Sequence, residues 1–570
     1  MIVFAFISLV LMSDVLTVDN GFDATIYMLE DPLILEALGE IVGCELQQHG
    51  KYKKFVVGQA GRKSNILLKL AKIEMLRDTL YAGKISLQWP AIRKKRRSIK
   101  PRRSTLSSCD VEFDDDKWAD QWYMHPMSDL RHMMDICGAW KLGLSGKGVV
   151  AAILDDGLEH DHSELISNYD PHASYDFNEG DNDPRPRQTW DNVNRHGTRC
   201  AGTIVAKANN SVCCVGIARS TKIGGIRVLD GKLTDADEAE AMTFRSDYID
   251  IYSASWGPKD NGCKLDGPGL LTISAITEAI HNGRKGLGSI YVWAAGNGGR
   301  YDDDCNCDGY ANSPFTIAVG SVTEKLRIPP YAESCSATMT VAFSSGKFYE
   351  DRQVVTSDLR NGCTNAFTGT SASAPIVTAS ISLALEANPQ LNWRDVQHLI
   401  IASSSRGELI SQDWRKNGAG LYFDDHYGFG LLNVKALVTK AKHWKAVSER
   451  HSCAVLALVE HVVIPPGKKA TGEMTTHSCF VLNKLEHVET VLTIDTKRRG
   501  LISITLTSPS GTKSQLLSNR IHDVSTSGFY QWPFMSVNFW GETPRGTWTI
   551  EIQNDDVNEA YFTQWLTVFH

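Results

Sequence analysis

Nothing after the first dozen residues approaches the apolar length needed to span a bilayer, so no membrane anchor is expected in the 570-residue chain. Excess positive charge is also missing. The 59 Lys and Arg stand against 66 Asp and Glu, a net −7, which argues against nucleic acid as a partner. No internal repeat and no low-complexity linker is visible. With 42% hydrophobic and 22% charged residues, the composition excludes disorder, collagen and coiled coil. What remains is an ordinary globular chain with room for more than one domain.

The charge is unevenly spread. Residues 1–97 hold 14 Lys and Arg against 10 Asp and Glu, which leaves 45 against 56 in residues 98–570. A basic leader thus precedes an acidic body, and such a body attracts basic polypeptides, its own leader included. Ordinary solubility charge is the bland alternative. The uncharged run Ile2–Met12, followed by polar residues from Ser13, has the form of a secretory signal, although no Lys or Arg precedes it. In an oxidising compartment the 13 Cys can pair, and the odd count leaves at least one thiol over.

Four segments are expected: a signal over 1–18, a small α+β leader over 19–97, an α/β domain over 98–445, and an all-β sandwich over 446–570. The leader ends in Arg93-Lys94-Lys95-Arg96-Arg97, a solvated charge cluster or a processing site. In the third segment, apolar runs such as Val149–Leu154 and Ser289–Ala294 alternate with helical stretches, the pattern of a parallel sheet flanked by helices. After Ser452 come short β-rich stretches, at 490–494, 501–506 and 547–552, separated by turn residues such as Pro509-Ser510-Gly511.

Three segments of the α/β region carry nucleophile chemistry. Ile153-Leu154-Asp155-Asp156-Gly157 is an apolar strand ending in carboxylates. Asn194-Arg195-His196-Gly197-Thr198 opens a helical stretch. Gly369-Thr370-Ser371-Ala372-Ser373-Ala374-Pro375 precedes the apolar run Ile376–Leu385. A Ser hydroxyl is a poor nucleophile without a neighbouring base. His196 would take its proton, and Asp155 would fix the imidazole tautomer and steady the imidazolium. Ser371 at a helix start can turn its own N–H toward a developing oxyanion, and Asn297, behind a buried strand in Ala295–Gly299, supplies a second donor. Each segment alone reads equally well as a turn or a capped helix start. Together they stand in the order Asp, His, Ser, which is the subtilisin order.

These segments, with Arg195–Gly202, Tyr252-Ser253-Ala254-Ser255-Trp256-Gly257-Pro258 and Cys305-Asn306-Cys307-Asp308-Gly309-Tyr310, resemble the kexin/furin-like proprotein convertases. The resemblance runs from about Asp110 to the C-terminus and includes the P domain of that family, with Glu486-His487 and Trp540-Gly541-Glu542 matching. It implies a calcium-dependent serine endoprotease that cuts secretory precursors after Lys-Arg or Arg-Arg, works as a monomer in the secretory pathway or outside the cell, and is held by its own propeptide until that is displaced. Carboxylates should line the cleft. By position, Asp260 and Asp308 would hold the residue before the scissile bond, Asp156 the second basic residue, and Glu238 and Asp266 a more distant Arg.

The resemblance also implies calcium. One site would use Asp115, Glu164 and Asn210 with the carbonyls of Lys207, Val212 and Cys214; a second would use Asp260, Asp303 and Glu333; a third Asp176, Asp181 and Asp183. Oxygen donors of this kind suit a hard cation. It implies the disulfides Cys213–Cys363, Cys305–Cys335 and Cys453–Cys479, with Cys200 and Cys307 unpaired.

Several positions depart from the family pattern. Glu164 and Cys214 stand where Asp and Gly are usual. Val193 replaces an acid of the second pocket, Lys232 and Lys259 replace acids further out, and Leu501 follows Arg498-Arg499-Gly500 in place of Asp. Propeptide cleavage after Arg96 and after Arg97 both fit, and Arg62-Lys63 is a candidate internal cut. Val57 stands where a pH-sensing His is found in furin, which removes that trigger here. The sequon Asn209-Asn210-Ser211 overlaps the first calcium loop and is expected to stay unmodified. Rival readings are a non-catalytic protein on the same scaffold, a degradative subtilase without the acidic pockets, and, remotely, a calcium sensor.

Overall fold

The computed structural model describes residues 111–125, 134–191, 193–347, 350–457, 459, 461–477 and 479–570, with the backbone of four strands among the first 110 residues. The chain divides into two units, residues 1–104 and 105–570. In the first unit the strands β1 (Thr25–Met28), β2 (Glu45–His49), β3 (Tyr52–Val56) and β4 (Ile85–Gln88) form one antiparallel sheet in the order β2-β3-β1-β4. Arg96, Arg97, Arg62-Lys63 and the signal run lie outside the described residues.

The second unit begins as the expected α/β layer. Its nine-stranded sheet takes β5 (Val150–Asp155), β6 (Tyr175–Asp176), β7 (Lys222–Arg227), β8 (Ile251–Ala254), β9 (Ile290–Ala294), β10 (Thr316–Val322), β11 (Thr340–Phe343), β14 (Ser404–Ser405) and β17 (Leu431–Leu432), in the order β14-β17-β11-β10-β9-β8-β5-β7-β6. All pairs are parallel except β14 with β17. Every residue of β5, β9 and β10 is buried, which is why these strands read as unbroken apolar runs. Antiparallel pairs β12 (Val354–Asp358) with β13 (Gly362–Phe367) and β15 (Arg415–Lys416) with β16 (Tyr422–Phe423) stand outside this sheet.

Seven helices are described in this part: α1 (Ile136–Trp140), α2 (His196–Val205), α3 (Asp235–Thr243), α4 (Leu270–Gly286), α5 (Thr370–Ala387), α6 (Trp393–Ser403) and α7 (Val434–Ala441). Helix α5 is buried along sixteen consecutive positions, Thr370 to Leu385, so it passes through the core with no polar face. It starts at Thr370, before the apolar run that marks it in the sequence, with Pro375 inside it.

From Cys453 the chain is all β. One sheet holds β18 (Cys453–Ala457), β19 (Val462–Ile464), β21 (Val488–Asp495), β24 (Phe529–Ser536) and β26 (Ala560–Phe569); the other holds β20 (Lys468–Thr476), β22 (Ile502–Thr507), β23 (Lys513–Leu517) and β25 (Gly546–Asn554). Burial alternates residue by residue along β21, β22 and β25, the mark of sheets with one face in a core and one outside. A shared core of Trp548, Trp565, Phe529, Phe534 and Phe569 lies between them.

The β domain packs on the α/β domain through buried polar contacts. Asn306 exchanges two hydrogen bonds with the Met535 backbone, at 2.8 and 3.1 Å. Arg394 on α6 grips Glu486 from both guanidinium arms, with Nε 2.9 Å from Oε2, and His398 bonds the same carboxylate at 2.8 Å. These pairs hold Glu486 far below the usual carboxylate range against the effect of burial. No described helix is long and apolar enough to cross a membrane.

Candidate active site

Asp155 is the last residue of β5, at the carboxyl end of the sheet where α/β folds place their ligands. Its Oδ2 lies 2.7 Å from His196 Nδ1, and Oδ1 accepts the Asp156 N–H at 2.8 Å. His196 is the first residue of α2. Asp156 accepts the N–H groups of His196 and Gly197, at 3.0 and 2.8 Å, and so caps that helix. The two adjacent acids divide the work: one orients the ring and the other fixes the helix that carries it. Gly197 is required beside them, because a Cβ there would sit 2.3 Å from Gly157 O. Burial disfavours the imidazolium, but the Asp155 carboxylate outweighs it and holds the His196 pKa well above the ordinary value.

Ser371 lies in the first turn of α5. Gly369 caps that turn at φ 83°, where a side chain would be strained and would meet Asn297 Oδ1. Ser371 Oγ donates to Ser255 O at 3.4 Å. Pro375 has no N–H for the carbonyl four residues back, which is that of Ser371. The thiol of Cys200 donates to that oxygen at 3.8 Å, and its Sγ stands 3.9 Å from His196 Nδ1. The sequence marked Cys200 only as unpaired. Its i, i+4 spacing from His196 on one helix face was the signal for the contact.

Asn297 follows β9. Its Oδ1 accepts Thr370 N at 2.8 Å and Thr370 Oγ1 at 3.1 Å, while its own N–H goes to Asp260 Oδ2 at 3.0 Å. The amide oxygen is thereby committed to the start of α5, and Nδ2 is the donor end of the group.

The acidic set is arranged as follows. Asp308 accepts Tyr310 N and Ala311 N at 2.8 and 3.3 Å, and burial pushes its pKa up to about 8. Gly257 makes room for it, since a Cβ there would stand 2.6 Å from Asp308 Oδ2. Asp266 forms a backbone bridge with Asp308, and its carbonyl accepts Gly309 N at 2.9 Å. Glu238 on α3 has an Oε1 without a partner, and burial raises its pKa. Burial also raises Asp260 to about 6 and, with the Asp155 charge, raises Asp156 to about 7. Buried carboxylates short of donors are sites prepared for a cation. Asp156 differs from the others, because both its oxygens already serve the α2 backbone.

The three expected calcium sets differ in how far their carboxylates are already hydrogen-bonded. In the first, Asp115 accepts Asn209 N at 2.9 Å, Asn210 Nδ2 donates to Glu164 Oε1 at 3.1 Å, and Lys207 N–H goes to Glu164 O. Val212 N donates to Asn210 Oδ1 at 3.1 Å. Glu164 is fully buried, its Oε2 has no partner, and burial pushes its pKa up to about 8. The Cys214 thiol is buried and unpaired, and burial raises its pKa, so it stays protonated. In the second set, Asp260, Asp303 and Glu333 are three mutually repelling carboxylates; burial and the Asp260 and Asp303 charges drive Glu333 well above the ordinary range. Gly298 N donates to Glu333 Oε1 at 2.7 Å, and Gly296, at φ 101°, leaves space that a Cβ would fill against that carboxylate. Arg520 of the β domain donates from Nε to Asp303 Oδ1 at 2.9 Å, a contact with no signal in the linear sequence.

In the third set the carboxylates are engaged by protein partners. Asp176 Oδ2 is taken by Arg227 Nη1 at 2.5 Å and its Oδ1 by the N–H of Asn178. Asp183 Oδ1 bonds His160 and Arg185 N, and Asp181 Oδ1 caps Asp183 N. The three Asp of this loop serve as turn and ion-pair residues. The disulfides Cys213–Cys363, Cys305–Cys335 and Cys453–Cys479 are present, and Cys200, Cys214, Cys263 and Cys307 are free thiols. Cys137, which had no expected partner, is also disulfide-bonded.

Residues 146–430 match the subtilase family and residues 485–569 the proprotein convertase P-domain. The chain is 47% identical over 484 residues to furin-like protease 1, isoform 1-CRR, of Drosophila melanogaster, covering 84% of this chain and 44% of that protein. It is 51% identical over 450 residues to human proprotein convertase subtilisin/kexin type 6, covering 78% and 46%, and 48% identical over 444 residues to the human type 4 protein, covering 77% and 58%. It thus spans about half the length of the curated relatives it matches. The fold is shared with the serine protease of Aeromonas sobria, at TM-score 0.71 and 20% identity over 84% of this chain and 99% of that one. The chain belongs to the subtilase family, in its kexin/furin-like proprotein convertase branch, with the peptidase fold and the P-domain in sequence.

Proposed function

We propose that this chain is a calcium-dependent serine endoprotease that cuts secretory precursor proteins after paired basic residues. The observation that carries the reading is the 2.7 Å pair of Asp155 and His196, together with the carboxylates of Asp308, Asp260 and Glu238, whose pKa values burial raises and of which Glu238 leaves one oxygen without a partner. The pair supports hydrolysis; the carboxylates support a cationic substrate side chain.

In this reading Ser371 Oγ attacks the scissile carbonyl while His196 Nε2 takes its proton and later returns it to the leaving amine. Asp155 keeps the Nδ1 proton in place. The Ser371 N–H and Asn297 Nδ2 stabilise the oxyanion. Asp260 and Asp308 neutralise the basic residue before the cut, and Glu238 and Asp266 a more distant one. Asp156 acts on the second basic residue through its field, since its oxygens are held by the backbone. Asp115, Glu164 and Asn210, with the carbonyls of Lys207, Val212 and Cys214, would hold one calcium, Asp260, Asp303 and Glu333 a second, and Asp176, Asp181 and Asp183 a third, and the ions would supply positive charge there. Cleavage of the leader at Arg96 or Arg97 releases the cleft, and the place of action is the secretory pathway.

A fluorophosphonate probe tests the nucleophile. Label should fall on Ser371 of the mature, folded protein and disappear in Ser371→Ala and after denaturation. Labelling elsewhere, or none in a processed folded protein, contradicts the reading and favours a non-catalytic scaffold.

A further inference from the structure

Asp260 and Asp266 are separated by Asn261-Gly262-Cys263-Lys264-Leu265, a stretch in no helix or strand. The peptidase domain holds its two ends: Asp303 Oδ2 accepts Gly262 N at 2.7 Å, and Cys307 O accepts Asp266 N at 3.2 Å. The β domain holds its middle. Arg499 Nη2 donates to Cys263 O at 3.0 Å, and Arg520 Nη2 donates to Lys264 O. The Cys263 thiol donates to His522 O at 2.9 Å, and Leu265 packs against the β-domain core.

Arg499 belongs to the run Arg498-Arg499-Gly500, which neither the hydrolytic centre nor the calcium sets use. Its guanidinium is buried and fixed by Asp523, with Nε 2.7 Å from Oδ2 and Nη2 3.3 Å from Oδ1. Asp523 also accepts Arg520 Nη1 at 3.0 Å. Gly500 lets the two segments meet, because a Cβ there would stand 1.9 Å from Arg520 O. Arg498 differs: its Nη2 donates to Ile521 O at 2.9 Å, inside the β domain. A buried ion pair gains little over apolar packing of the same shape. What Asp523 adds is two rigid guanidinium forks, each with an N–H on a carbonyl of the stretch that leads into Asp266.

We propose that Arg499 is a positioning residue for substrate selection, the head of a brace completed by Arg520 and the His522 carbonyl. The brace fixes the Cys263–Lys264 backbone and so sets the place of the Asp266 carboxylate, which with Glu238 receives the basic side chain upstream of the paired site. The assignment rests on reading those two acids as substrate groups. Arg499 itself acts only through the loop. A carboxylate that meets a guanidinium has to lie in register with its fork, and a misplacement of about 1 Å can cost ~10² in rate. Lysine at position 499 keeps the charge beside Asp523 but offers a point donor in place of a fork, so it cannot hold the carboxylate and the Cys263 carbonyl in one plane.

The test compares kcat/KM for fluorogenic Arg-x-Lys-Arg and Ala-x-Lys-Arg peptides, using the mature enzyme in calcium buffer, for the wild type, Arg499→Lys and Cys263→Ala. The wild type should prefer the first peptide. R499K should lower that preference about tenfold while cleaving Ala-x-Lys-Arg within about twofold of the wild-type rate. A wild-type preference carried unchanged into R499K, whatever the fall in overall rate, overturns the proposal and leaves the reading of Asp266 and Glu238 standing. Equal rates of the wild type on both peptides refute that reading, and the positioning role falls with it. Should R499K not mature, C263A decides. It removes only the thiol donor to His522 O, at a half-buried position. A lowered preference in C263A supports the brace, and an unchanged one overturns it.

Discussion

Arg520 of the P-domain donates from Nε to Asp303 Oδ1 at 2.9 Å, and its Nη1 reaches Asp523 Oδ2 at 3.0 Å, with all three groups buried. The P-domain therefore holds one carboxylate of the second calcium set. Arg520→Leu leaves Asp303 and Asp523 without that partner. Removing one member of a buried ion pair costs about 3–5 kcal/mol, so R520L should unfold at markedly lower denaturant in calcium-free buffer. Calcium should recover part of the loss by screening Asp303. An unchanged midpoint would show that the pair contributes nothing.

Glu333→Gln gives opposite signs with and without metal. Without calcium, the amide is neutral without the proton that Glu333 must take up beside Asp260 and Asp303, so the melting temperature should rise. With calcium, the variant should gain less than the wild type, for which an ion at a hundred times its Kd contributes about 2.7 kcal/mol. Differential scanning with and without chelator reads both signs. A uniform drop under both conditions would mean that Glu333 is a packing residue only.

Asn297 offers a test of donor against acceptor. Its Oδ1 holds Thr370 N and Oγ1. Asn297→Asp keeps that acceptor and removes the Nδ2 donor. Loss of one oxyanion donor costs about 10²–10³ in kcat, so N297D should lose at least that factor, and the added carboxylate beside Asp260 should lower the melting temperature in calcium-free buffer. An N297D enzyme of full kcat would remove Asn297 from the oxyanion role.

Asp156 carries a pH signature. Burial and the Asp155 charge raise its pKa from 3.8 to about 7 in the folded protein. Between those values the native state binds a proton that the unfolded chain has released, so this group makes stability fall as pH rises through that window. Asp156→Asn removes the titration. The drop in melting temperature from pH 4.5 to 7.5 should be smaller in D156N than in the wild type, and an identical drop would mean that Asp156 titrates normally.

The candidate triad and both domain types were legible because each depends on local pattern. A fully buried strand such as β5 has to be an apolar run, and the alternating strands β21, β22 and β25 have to show period two. What was not legible depends on distant partners. The contact of Asp176 with Arg227, 51 residues on, is one such pair. The Arg520–Asp303 pair spans 217 residues. The hydrogen bonds by which Asp156 holds the first turn of α2 likewise join residues about 40 positions apart.

The most direct test of the account is hydrolysis of a fluorogenic Arg-x-Lys-Arg peptide beside an Ala-Ala-Pro-Phe peptide, with calcium and with excess chelator, using Ser371→Ala as control. Cleavage of the basic peptide alone, lost with chelator and in S371A, is the expected result. Equal cleavage of both peptides, or calcium-independent cleavage, would contradict it.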